Sequence, residues 1–137
     1  MEITTTQARN GVATQGGAPG LHDSLYFDLQ QQLQRLRTRA ARQQGAWKKG
    51  VARELLVDYP DLRVSLVYLA AGGQIEEHYN PGRIVVHTVA GHIRMRAGEE
   101  TFDLPLGAVL ALDRAVPHQL QAVEESAFLL TVVPPAQ

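Results

Sequence analysis

The chain has 137 residues, 45% of them hydrophobic, and contains no cysteine. That length suits one domain with its own apolar core, and the lack of cysteine excludes disulfides, thiolate metal sites and cysteine nucleophiles. The net charge of −1 is unevenly spread: residues 1–50 hold seven Lys/Arg against three Asp/Glu, and residues 51–137 hold six against eleven, a basic arm on an acidic body.

Residues 1–20 are polar and broken by Gly11, Gly16, Gly17, Pro19 and Gly20, a pattern expected of a disordered tail. They lack the basic start and apolar run of a signal peptide, and no stretch approaches the ~20 apolar residues of a membrane span. The expectation is a cytoplasmic protein with no membrane partner. Residues 21–50 read as a helical extension. Leu25, Leu29, Leu33, Leu36 and Ala40 form one stripe of an amphipathic helix spanning residues 21–44. Asp23 or Ser24 is the expected cap, Gly45 the expected stop, and Arg39 and Arg42 favour the negative end of the helix dipole. Gln and Arg make up most of the opposite face and suit solvent. The basic residues lack the interleaved aromatics of a nucleic-acid surface, so the arm is expected to pack on its own body or on a partner subunit. Trp47 is the expected anchor of the extension, and His22 carries no assigned role.

From Val51 the pattern is β. Leu62, Val64, Leu66 and Tyr68 alternate with Arg63, Ser65, Val67 and Leu69. Residues 84–89 are dense in β-branched side chains. Ile93 and Met95 alternate with His92, Arg94 and Arg96, a half-exposed strand, and residues 109–112 and 128–133 complete the set. Turn signals at residues 59–61, 71–73, 80–82, 97–99, 106–107 and 116–117 punctuate the run every eight to twelve residues, which predicts a closed barrel or sandwich over residues 51–133.

Two stretches carry a more specific pattern. Gly72 is followed after five residues by His78; Asn80 and Ile84 stand where His and Glu complete a metal motif, and Gly91 closes the stretch in register. Gly107 opens a second stretch, with Asp113 for Pro, Ala115 for Gly, His118 in register and Ala122 for Asn. In this spacing the chain resembles the cupins. The resemblance implies an all-β, cupin-like antiparallel β-barrel (a jelly roll), often dimeric, behind the N-terminal amphipathic helix. It implies a divalent metal such as Fe, Mn, Ni, Cu or Zn held by two first-motif His, a Glu and a second-motif His. Carried over residue by residue, that set falls to His78, His118 and Asn80, because Ile84 offers no donor. On strand parity Glu76 shares the face of His78 and is the candidate substitute carboxylate; solvated residues before a turn are the plainer reading of Glu76 and Glu77. Ile84 and Tyr68 are expected to line the cavity.

His87 shares its face with Val85 and Val89, an apolar outer face that predicts a subunit interface and hence a homodimer. Arg94 and Arg96 form a charged outer face. Ser24, Ser65 and Ser126 lie in no nucleophile-elbow context, and no Gly-rich loop fits a phosphate-binding pattern. Two functions follow from these residues. One is a small-molecule-binding, sensing or assembly module whose metal site is degenerate. The other is a metal-dependent enzyme of dioxygenase or isomerase type using His78 and His118.

Overall fold

The computed structural model describes residues 23–42 and 50–136. The expected tail over residues 1–20, His22, the Gly45 stop and Trp47 lie outside them. Among the described residues the strands are β1 (Val51–Tyr59), β2 (Leu62–Leu69), β3 (Gln74–His78), β4 (Arg83–Ala90), β5 (His92–Ala97), β6 (Glu100–Pro105), β7 (Val109–Leu112), β8 (His118–Ala122) and β9 (Ser126–Val133). They form two antiparallel sheets, ordered β1-β2-β9-β4-β7 and β3-β8-β5-β6. The chain thus has the expected jelly-roll order, but as two facing ladders rather than a closed barrel.

Alternation decides what lies between the sheets. In β2 and β9, Val67, Leu69, Phe128 and Val132 turn inward; in β4, Ile84 and Val86; in β5, Ile93 and Met95. Each such side chain contributes roughly 1.5–3 kcal/mol when taken out of water. The one buried hydroxyl of β4, Thr88, donates to the Leu104 carbonyl at 3.0 Å, so this core position carries no unsatisfied donor. Gly91, the turn between β4 and β5, has φ 75°. A Cβ there would collide with the Glu125 carbonyl and the Ser126 side chain, so the residue that closes the first motif is required by both backbone and space.

The helix α1 (Leu29–Arg42) lies on the outer face of the five-stranded sheet. Its stripe of Leu29, Leu33, Leu36 and Ala40 covers Ala52, Leu66, Tyr68 and Ala127. It starts later than the periodicity predicts. Asp28, not Asp23 or Ser24, caps it, its Oδ1 accepting from Gln30 N at 3.0 Å and Gln31 N at 3.3 Å, and Leu25 stands outside the helix and exposed. The polar face is not simply solvated: Gln32 is buried, Arg37 pairs with Glu125 at 2.7 Å and Arg39 with Glu54 at 3.3 Å. The basic arm and acidic body therefore meet within one chain, at least through these two arginines.

Candidate functional site

Between the sheets lies a cavity of about 260 Å³. The five-stranded sheet supplies Val51, Val67, Ile84, Val86, Phe128 and Leu130, all at inward positions of their strands. The four-stranded sheet supplies Ile75, Met95 and Leu120 and the polar pair His78 and His118. Arg53, inward on the edge strand β1 opposite Val67, completes the lining.

His78 and His118 face each other across the β3–β8 ladder, with ring centroids 4.3 Å apart in an edge-to-face arrangement. Each ring is held the same way. His78 Nδ1 lies 2.9 Å from the Glu76 carbonyl and His118 Nδ1 lies 2.9 Å from the Val116 carbonyl. A carbonyl only accepts, so Nδ1 carries the proton in both neutral rings and Nε2 is left with its lone pair. His118 is buried; that burial lowers its pKa below the usual histidine value, the Val116 carbonyl works in the opposite sense, and His78 adds to the lowering. The neutral, acceptor form is the one the cavity favours.

The other sequence-selected residues are placed differently. Glu76 does not share the face of His78. The ladder shifts between Ile75↔Leu120 and His78↔His118, so two residues of β3, Glu76 and Glu77, stand against one of β8, Gln119. That extra residue resets the alternation: Ile75 and His78 turn inward, and Glu76 and Glu77 line a polar groove on the outside of the sheet with Arg94, Arg96, Gln119 and Gln121. Asn80 is a turn residue beyond the end of β3. Its Oδ1 accepts from Gly82 N at 2.8 Å and its carbonyl from Ala115 N at 2.9 Å. Ile84 lines the cavity. Tyr68 does not: it pairs with Ala52 and Ala127 on the outward rows of β2, beneath α1, where its hydroxyl donates to Glu125 Oε2 at 2.5 Å. Sequence reasoning missed Arg53, whose two-residue spacing from Val51 on β1 was the available signal.

The four-ligand divalent centre implied by the cupin resemblance does not fit these residues. Asn80 is committed to its turn, Ile84 is apolar and Glu76 is on the far side of the sheet; among the described residues no group of three His, Cys, Asp or Glu is arranged to hold a metal ion. What remains at the cavity is a pair of imidazoles and Arg53 among apolar side chains. Outside, His87 stands half-buried opposite Leu129 and Val109 on the outer face, as its parity predicts. His92 and Arg94 both contact Asp103, at 3.2 and 3.0 Å.

No family model matches the chain, and no curated protein does. Solved structures do match. A conserved protein of unknown function from Streptococcus pyogenes is 28% identical, with TM-score 0.61, over 66% of this chain and 80% of that one. A cupin superfamily protein from Desulfitobacterium hafniense is 17% identical, with TM-score 0.61, over 67% and 84%. A salicylate 1,2-dioxygenase from Pseudaminobacter salicylatoxidans is 21% identical, with TM-score 0.67, over 75% of this chain and 33% of that one. The chain has the cupin fold.

Proposed function

We propose that this cupin-fold domain is a small-molecule-binding module, serving sensing or assembly, that holds a compact apolar guest between its sheets. The observation that supports it is the lining itself: nine apolar side chains around two imidazoles that each offer an Nε2 acceptor, with no carboxylate among them. Such a chamber, apolar with a few convergent polar groups, suits a small organic molecule. An apolar cavity of roughly 150 Å³ is enough for one benzene ring, and this one is larger. Phenol, whose hydroxyl can donate to a histidine Nε2, is the simplest probe. Titrated phenol is expected to shift the NMR signals of Val67 and Phe128, and Val86→Phe, which narrows the chamber, is expected to weaken the shift. Signals that do not move, or that move equally in Val86→Phe, would sink this reading.

A metal-dependent enzyme is the second reading. It is favoured by one observation, the matched orientation of two imidazoles with free Nε2 positions, the way a backbone carbonyl holds a metal-ligating histidine. A dioxygenase acting on salicylate shares the fold. Metal analysis of protein purified without an affinity tag separates the two: substoichiometric metal after loading with Fe, Mn, Ni or Zn supports the binding module, and stoichiometric metal lost in His78→Ala supports the enzyme.

A further inference from the structure

Arg53 is the unusual member of the cavity lining. Among the described residues it is the one cation of a lining otherwise made of apolar and imidazole groups. Five arginines of the described residues pair with carboxylates: Arg37, Arg39, Arg63, Arg83 and Arg94. Arg53 forms no ion pair there. Its chain neighbour Glu54 points to the opposite face, where it is engaged by Arg39 from the helix; Arg39 also donates to the Arg53 carbonyl at 2.5 Å. The helix thus engages the adjoining carboxylate of Glu54 and the backbone carbonyl of Arg53. The exposed guanidinium is left with five donors in a planar fork at the edge of a largely apolar chamber.

We infer that the guest is a compact, mainly apolar monocarboxylate, its carboxylate on the Arg53 fork and its body against Val67 and Phe128. The inference rests on reading the cavity as a small-molecule site and narrows the class of molecule. Fork and carboxylate match in geometry and make two parallel charge-assisted bonds. One cation balances one negative charge. A phosphate or dicarboxylate would bring a second charge into a chamber whose other lining residues are nine apolar side chains and two histidines, and a charge left unpaired among apolar groups is costly. A neutral guest would leave the fork unused.

The test compares benzoate with benzamide, which has the same ring and no charge, in the full chain and in Arg53→Gln, by calorimetric or NMR titration, with phenol as a control for the cavity. Benzoate is expected to bind the natural chain about tenfold more tightly than benzamide, as befits a partly exposed charged fork. In Arg53→Gln that preference is expected to vanish while phenol and benzamide bind as before. Equal binding of benzoate and benzamide to the natural chain, or a preference that survives Arg53→Gln, overturns the assignment while leaving the cavity reading intact if phenol binds. Failure of all three probes overturns both.

Discussion

At the scale of single residues, the informative positions are those where the backbone leaves the ordinary regions. Ala115 has φ 60°, the one non-glycine residue with positive φ among those described. It stands where the cupin pattern places a glycine, and its N–H donates to the Asn80 carbonyl, so the conformation is kept although the side chain penalises it. Ala115→Gly is expected to stabilise the domain by up to about 1 kcal/mol, the relief of a left-handed alanine exceeding the extra unfolded-state freedom of glycine; urea unfolding measures it, and a destabilised variant would contradict it. The motif glycines were legible for the same reason: Gly107 has φ 90°, and only its residue type announces that. His78, His118 and Ile84 were legible from spacing. Glu76 and Asn80 were not, because alternation holds only while the ladder is regular, and β3 breaks its register between Ile75 and His78.

At the scale of elements, the helix was legible as a helix but not in its start or in what its polar side does. Periodicity includes Leu25; a cap is set by which side chain can reach the first free amides, and Asp28 does. The strands β6 and β8 were not singled out, since short polar-rich runs such as Glu100–Pro105 and His118–Ala122 declare themselves only when paired on either side with β5. Docking of the helix brings Arg37 and the Tyr68 hydroxyl onto Glu125. The hydrogen bond from Tyr68 is the largest influence holding the Glu125 carboxyl below its usual value of 4.5; burial opposes it, and the hydrogen bond and charge of Arg37 add to the lowering. A depressed folded-state pKa means the ionised form is favoured by folding. Its contribution is present above the unfolded value and fades as pH falls through the folded one. Because the pair is about half exposed, solvent screening limits it to about 1 kcal/mol or less. Glu125→Gln is therefore expected to be less stable than the natural chain at pH 7 and to converge with it as pH falls below 4.5 and through the lowered folded-state value, followed by thermal unfolding across pH; a constant gap would refute the link.

At the scale of the whole molecule, the fold class was legible because period-two patterning and turn spacing extend over most of the chain. The sheet pairing was not, because it depends on partners far apart in sequence. One consequence of that pairing is an outer face only partly covered by α1. Beyond the helix, Val64, Val85, His87 and Val109 lie in adjacent rows, with Tyr59 and Val133 exposed beside them. The charges at its margin, Arg63 with Asp58 and Arg83 with Asp113, are already paired with each other. A mainly apolar patch of this kind, its marginal charges already paired, suits a second copy related by a two-fold axis, the homodimer expected from the His87 face. Light scattering on the eluting protein is expected to give a dimer, and Val85→Glu a monomer; a monomeric natural chain would rule the dimer out. The irregularity in β3 has a consequence of another kind. In a regular antiparallel ladder continued from Ile75↔Leu120, the residue opposite His118 would be Glu77 rather than His78. The interior chemistry of this domain is therefore one backbone slip away from exchanging an imidazole for a carboxylate. Such a change of character leaves every letter of the sequence as it is, and comparison of residue identities alone would not register it.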